Sequence, residues 1–224
     1  MVEAAAIAFC ESLNAAAFRA VAENVRAGMT EQDVQRLVQT AWNTAAACEV
    51  PFSGDLIGGV RSGAIEGAPT AYVLQTGDAL IVDIQPGVNG CFADTTRTFF
   101  IGEAGAEQRR VYAAVEATLR QLEAALRPGV RACELYHLMQ QSLAEFGLSC
   151  PHHAGHALGC EKLLPPEFVP DCTDVLQEGM IVALEPGAYC EGAFGVRLEN
   201  NYRITADGAE CLFRYPLAIE DCIV

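Results

Sequence analysis

Residues 77–102 read GDALIVDIQPGVNGCFADTTRTFFIG, and two acidic residues in this run sit where a strand pattern wants apolar ones. Leu80, Ile81 and Val82 form an apolar run that ends abruptly in Asp83. After the turn residues Pro86, Gly87, Asn89 and Gly90, a second strand, Cys91 to Phe100, carries Asp94. The Pro-Gly and Asn-Gly pairs mark a β-hairpin. A turn centred on Val88 and Asn89 puts positions 83 and 94 directly opposite each other, and opposed residues of an antiparallel pair share a face. Two carboxylates side by side in a half-buried sheet are costly unless a shared proton or a cation neutralises them. An ordinary exposed cross-strand pair is the alternative that this hairpin alone leaves open.

A second hairpin weighs against that alternative. Residues 179–205 read GMIVALEPGAYCEGAFGVRLENNYRIT: an apolar run from Met180 to Leu184 again ends in an acid, Glu185, followed by Pro186-Gly187. Gly77 precedes Asp83 by six residues, and Gly179 precedes Glu185 by six. The return strand carries Glu199, and a loop centred on Gly192 sets 185 and 199 opposite each other. Four inward carboxylates from two related hairpins cannot all stay ionised without cations. Between the hairpins, PHHAGHALG at 151–159 offers imidazole. Four carboxylates and a histidine suit a dinuclear site for Mn, Co, Fe or Zn.

Asp83, Asp94, His156, Glu185 and Glu199, in that order and spacing, resemble the five metal ligands of the pita-bread metallopeptidases, peptidase family M24. That family holds methionine aminopeptidases, Xaa-Pro aminopeptidases and prolidases. The surrounding words are similar too: GD-LIVD at 77, D-TRTF at 94, GH--G at 155, EPG at 185 and GVRLEN at 195. The 14-residue step between the glutamates resembles the prolidase and Xaa-Pro branch. The likeness extends over nearly the whole chain, because Ile7 to Thr44 reads like the family's opening helix, turn and second helix. It implies an α+β fold in which helices cover a curved antiparallel sheet with pseudo-two-fold internal duplication.

The chain's 224 residues, 51% of them hydrophobic, are enough for one domain with a substantial core, so residues 1–224 are expected to form a single catalytic domain. No run of 18 uninterrupted apolar residues and no signal-peptide pattern occur, which argues for neither a membrane span nor secretion. A net charge of −15 argues against nucleic acid or an anionic membrane as partner. The ten cysteines form no CxxC pair, so a reduced, cytoplasmic setting is expected, with most of them buried as small apolar residues. Cys160 and Cys190 stand near the predicted site as candidate soft ligands.

Helices are expected over Ala4–Ala27, from Thr30 to about Ala47, over Glu107–Leu126 and over Ala132–Phe146. Helix, glycine-containing turn, helix and acidic hairpin thus occur twice. His137 falls on the fourth helix and is read as structural or surface. Arg97 and Arg197 are expected to pair with local carboxylates, Arg197 with Glu199 as a second option. Trp42 is assigned to the core.

The resemblance implies cleavage of an N-terminal peptide bond by hydroxide activated between two divalent ions, with Glu185 also shuttling the proton. It further makes His152, four residues before His156, a site-wall histidine that contacts substrate. Two family histidines are missing: Glu66 stands where one precedes the first hairpin, and Leu163 where one follows GH--G. The chain's four histidines are at 137, 152, 153 and 156, so no distant imidazole fills either role. Losing one such donor costs about 100- to 1000-fold in turnover. Lys162, Glu66 or His153 are the candidates to substitute, and Glu66, His152 and His153 the candidate substrate contacts.

Three functions follow. One is an Xaa-Pro dipeptidase or aminopeptidase, weakened or altered, acting on a short peptide. A second uses the same metals for a non-peptidase hydrolase or lyase reaction on a small polar substrate. The third is a metal-binding scaffold without catalysis, against which five retained ligands count. Prolidase-like relatives usually carry an N-terminal domain, so this chain is expected to act alone, as a homodimer, or with a separate N-domain partner.

Overall fold

The computed structural model describes residues 2–161, 163–213 and 215–224. Two helices open the chain, α1 (Val2–Asn24) and α2 (Glu31–Ala46). Thr30 caps α2, accepting from the Asp33 amide while the Asp33 carboxylate accepts from the Thr30 amide. Strands β1 (Gly54–Gly58), β2 (Ala79–Ile84), β3 (Gly87–Val88), β4 (Cys91–Phe92) and β5 (Thr95–Phe100) follow, with a 3₁₀ turn over Gly59–Gly63. Helices α3 (Ala106–Ala125) and α4 (Ala132–Ala144) begin the second half. Its strands are β6 (Gly155–Ala157), β7 (Leu164–Glu167), β8 (Ile181–Leu184), β9 (Gly187–Cys190), β10 (Phe194–Arg197), β11 (Asn200–Ile204) and β12 (Ala209–Cys211).

The duplication is visible in the hydrogen bonding. β1, β2 and β5 form one antiparallel sheet in that order, and β6, β8 and β11 recur in the same order within a second. Gly28 donates to the Leu74 carbonyl and Gly129 to that of Leu176, and the Gly77 and Gly179 amides likewise reach Ile101 and Ile204. Gly54 and Gly155, at φ +144° and +151°, open the first strand of each set, where an added Cβ would lie 2.1 and 2.0 Å from the neighbouring strand's carbonyl oxygen. Only glycine allows strands to approach so closely at that φ.

These registers correct the expected hairpin geometry. The first turn centres on Asn89 and Gly90, which have φ of +53° and +75°, with Val88 opposite Cys91. A tight two-residue turn needs positive φ at both central residues, which Asn-Gly supplies and a β-branched valine does not. Asp83 therefore faces Thr96, and Asp94 lies between β4 and β5. The repeat equivalence shifts as well. Ile84 pairs with Gly54 and Leu184 with Gly155, so Glu185 corresponds to Gln85, and Asp83 to Ala183. β2 has six residues and β8 four, so counting from the preceding glycine misaligns the two by two residues. In the second hairpin the expected register is observed, Gly187 facing Arg197 and Leu184 facing Asn200 on either side of Glu185 and Glu199.

The helices cover the sheets. Ile7, Cys10, Leu13, Ala17, Phe18 and Val21 of α1 are fully buried, although Ala5–Asn24 is long and apolar enough to cross a membrane. Trp42 is fully buried and stacks on Phe52, whereas His137 is exposed against Tyr136. Arg97 departs from expectation. Its guanidinium donates to the carbonyls of Thr96, Glu199, Tyr215 and Pro216 and to Asn200 Oδ1, and lies over the Phe213 ring. It fastens the closing segment of the chain to β11 instead of pairing with a carboxylate. Of the ten cysteines only Cys10, Cys91, Cys150 and Cys222 are buried, fewer than expected, and all ten are free thiols.

Candidate metal centre

Where the two sheets face each other, a cavity of about 690 Å³ opens. Asp83, Asp94, His156, Glu185 and Glu199 line it, together with His152, His153, Glu66, Leu163, Asp55, Ile65, Gln85 and Arg197. Every candidate residue named from the sequence thus reaches one cavity, except Cys160 and Cys190, which do not line it, and Lys162, which lies outside the described residues. Asp94, His156 and Glu199 each offer a donor atom within 4.8 Å of the others' donors, close enough to share one ion.

The sheets hold these side chains reciprocally. Thr96 on β5 donates to Glu199 Oε2 at 2.8 Å, and Asn201 on β11 holds Asp94 through both its amide (2.9 Å) and its carbonyl (2.6 Å). Arg197 makes a 2.6 Å ion pair with Asp83, which lies 114 residues away in the other half of the chain and is neither a local carboxylate nor Glu199. His156 Nδ1 lies 2.9 Å from the Ala157 carbonyl oxygen, a contact that fixes the proton there. Nε2 is thereby the nitrogen that would face a cation, 3.5 Å from Glu185 Oε1 and 3.7 Å from Asp94 Oδ2.

Among the described residues, three buried carboxylate oxygens of this cavity, Asp83 Oδ1, Asp94 Oδ1 and Glu199 Oε1, have no hydrogen-bond partner. Buried carboxylates without partners are unfavourable on their own, and oxygens beside an imidazole lone pair form the donor set of a divalent cation. The residues fit a metal. Without one, burial raises the carboxyl pKa of Asp94, Glu185 and Glu199, and the neighbouring acids Asp83 and Asp94 add to it. Burial pulls His156 down, but Asp94 and Glu185 more than offset that and lift it to about 9.

His152 lines the cavity and is held at both ring nitrogens. Its Nδ1 lies 2.8 Å from the His153 carbonyl oxygen and its Nε2 2.8 Å from the Tyr189 hydroxyl, which also accepts from Arg197. Burial, with Arg197 nearby, lowers its pKa to about 3 and keeps the ring neutral. His153 Nδ1 stands 3.3 Å from Glu185 Oε1. Asp55, Gln85, Tyr189 and Thr96 escaped the sequence reading. Asp55 carried a usable signal, an acid heading the apolar pair Leu56-Ile57 as Asp83 closes its own run.

Comparison with known proteins agrees with this geometry. Residues 5–206 match the model of metallopeptidase family M24. An Xaa-Pro dipeptidase of Pyrococcus furiosus is 32% identical over 206 residues, 91% of this chain and 59% of the relative. A putative dipeptidase of Bacillus subtilis, YkvY, is 31% identical over 86% of this chain and 53% of its own length. Among solved structures, an Xaa-Pro dipeptidase from Bacillus anthracis superposes with a TM-score of 0.95 at 26% identity, covering 100% of this chain and 63% of that one. The chain thus spans less than two thirds of each of these relatives. Its fold is the pita-bread fold, and the chain belongs to metallopeptidase family M24, in the branch of Xaa-Pro dipeptidases and aminopeptidases.

Proposed function

We propose that the protein is a metal-dependent hydrolase that cleaves the N-terminal peptide bond of a short peptide. The observation that carries this is the set of partnerless buried oxygens on Asp83, Asp94 and Glu199, gathered in one cavity with His156 Nε2. In this reading the five side chains Asp83, Asp94, His156, Glu185 and Glu199 hold two divalent ions. Such ions, when bound, activate water as a nucleophile and polarise a carbonyl.

The chain's own residues do the rest. Glu185, which would be ionised as a ligand, would take the proton lost by the attacking water at Oε1 and pass it to the leaving amine. His153 Nδ1, 3.3 Å from that oxygen and without a hydrogen bond among the described residues, is placed to donate to it or to substrate. Thr96 fixes the rotamer of Glu199, and Arg197 supplies the counter-charge to Asp83. His152, braced at both ring nitrogens, stiffens the wall, to which Ile65 and Leu163 add apolar surface. A second reading, another hydrolytic or lyase reaction at the same centre, draws on Glu66 and Leu163 standing where relatives are expected to carry imidazoles.

Reconstitution with Mn or Co, followed by assay on Xaa-Pro dipeptides, Xaa-Pro-Xaa and Met-Ala-Xaa tripeptides, tests this directly. Cleavage should require metal and fall at least about 1000-fold in Glu199→Ala, which removes a ligand. Bound metal without cleavage of any peptide would overturn the peptidase reading in favour of the second.

A further inference from the structure

The wall of the cavity has a charge pattern that the metal centre does not use. Among the described residues six carboxylates line it, from Asp55, Glu66, Asp83, Asp94, Glu185 and Glu199, against one guanidinium, Arg197. Arg197 is spent: it pairs with Asp83 and donates to Tyr189 and to the Ile65 carbonyl. Arg197 and two divalent ions would together supply one positive charge fewer than the six carboxylates carry, and the two acids that belong to neither the centre nor the Arg197 pair are Asp55 and Glu66.

Both are placed by the fold, not by chance exposure. Asp55 sits on β1 directly opposite Asp83, on the same face of the sheet. Across the internal duplication its position is that of His156, since Gly54-Asp55 and Gly155-His156 open equivalent strands. The scaffold therefore directs position 55 at the reacting centre, as it does position 156.

Glu66 enters from the segment after the 3₁₀ turn. That segment is anchored by Glu31, which is fully buried and accepts from the Gly58 and Thr70 amides, the Thr70 hydroxyl and Arg61. Arg61 is thus committed to Glu31, and among the described residues neither Asp55 nor Glu66 has an ion pair.

We infer that Asp55 and Glu66 form a specificity wall that selects a substrate bearing a cationic side chain, of the lysine or arginine kind, beside the bond to be cleaved. The inference rests on the hydrolase function proposed above and narrows its substrate class. A basic side chain places its charge against two acids and its aliphatic stem against Ile65 and Leu163, which line the same cavity. A substrate carboxylate at this wall meets only like charge. Glu66 is exposed, so it can be changed without disturbing the core.

Peptides differing only in Lys, Arg, norleucine, Leu or Glu at the residues flanking the scissile bond provide the test. They are assayed for kcat and KM separately, and for binding to the ion-free protein by calorimetry. Variants are Asp55→Asn, Glu66→Gln and the charge reversal Glu66→Lys. Lysine should be preferred over norleucine by at least about tenfold, mostly in KM, and each neutralisation should remove about tenfold or less of it. Glu66→Lys should turn the preference toward the Glu peptide, a reversal that mere structural damage cannot produce. Added salt should weaken the Lys preference and leave norleucine unchanged.

Equal handling of Lys and norleucine, or a Lys preference that survives both neutralisations, would overturn the inference. If no peptide is cleaved, the hydrolase reading fails. The binding series still decides the wall: tighter Lys and Arg binding that Glu66→Gln abolishes upholds it, and charge-independent binding sinks it.

Discussion

The two halves of the molecule share one scaffold and carry different chemistry on it. In the first, one row across the sheet reads Asp55, Asp83, Thr96; the equivalent row of the second reads His156, Ala183, Asn201. The following row pairs Gln85 with Asp94 in one half and Glu185 with Glu199 in the other. Backbone register was kept while side chains diverged. One row became acidic and depends on a guanidinium from the opposite half, and the other supplies imidazole next to a small alanine. The metal centre is thus asymmetric in charge although its frame is symmetric.

The dependence on Arg197 is the sharpest way to break that comparison. Arg197→Met leaves Asp83 buried opposite Asp55 with no counter-charge, and should cost about 3–5 kcal/mol in urea unfolding of the ion-free protein. Removing the charge as well, in Asp83→Asn with Arg197→Met, should recover most of the loss, because replacing both partners of a buried pair is often near neutral. Nothing in the second half has an equivalent need, since Ala183 stands where Asp83 does. Equal stability of the single and double variants would show that Arg197 acts through Tyr189 and Ile65 instead.

Titration separates the halves next. In the ion-free protein His156 has its folded pKa raised from 6.5 to about 9, and the carboxyls of Asp94, Glu185 and Glu199 are raised as well. A raised folded pKa contributes stability that is complete at low pH and is lost as pH rises through the folded value. The ion-free melting temperature should therefore fall as pH rises from about 4 to 9, Asp94 acting up to about 6, Glu185 up to about 8 and His156 from 6.5 to about 9. His152, lowered to about 3, acts only below pH 6.5 and in the opposite sense, its contribution being lost as pH falls. Saturating Mn should remove the decline, because metal replaces these protons and its binding adds stability by mass action. A flat ion-free profile, or no proton release on adding Mn at pH 7, would contradict the assignment.

Much of this centre was legible in the sequence, for a physical reason. Acids that close apolar strand runs, as Asp83 and Glu185 do, are too costly to be there without a cation, so they announce themselves. Asp94 was found by its spacing but placed wrongly. The Asn89-Gly90 turn, read one residue early, moves every partner along the strand, and what holds Asp94 is Asn201, 107 residues away. The equivalence of Glu185 with Gln85 was hidden because β2 is longer than β8 at its start, where glycine spacing seemed to count. His152 was legible as a cavity residue, but its bracing by Tyr189 depends on a contact between β9 and the loop before β6, which no local pattern encodes. Arg97 misled for the same reason: four of its partners are backbone carbonyls and the fifth is the Asn200 amide oxygen, contacts that a sequence does not display.

The smallest effects test whether the halves hold each other's ligands. Thr96 and Asn201 occupy equivalent positions, yet Thr96 serves Glu199 and Asn201 serves Asp94, each reaching across to the other repeat. Asn201→Ala strips partners from a buried amide and a buried carbonyl, so it should cost about 1–3 kcal/mol of stability besides weakening metal binding. Thr96→Val keeps the shape and removes one hydroxyl hydrogen bond to a side-chain oxygen. It should leave ion-free stability within about 1 kcal/mol and lower Mn affinity about tenfold, read by calorimetry. If each repeat oriented only its own ligands, Thr96→Val would leave Mn affinity untouched. A tenfold loss from a hydroxyl on β5, acting on a glutamate that follows β10, would instead show that the sheets must be assembled against each other before the centre can bind metal.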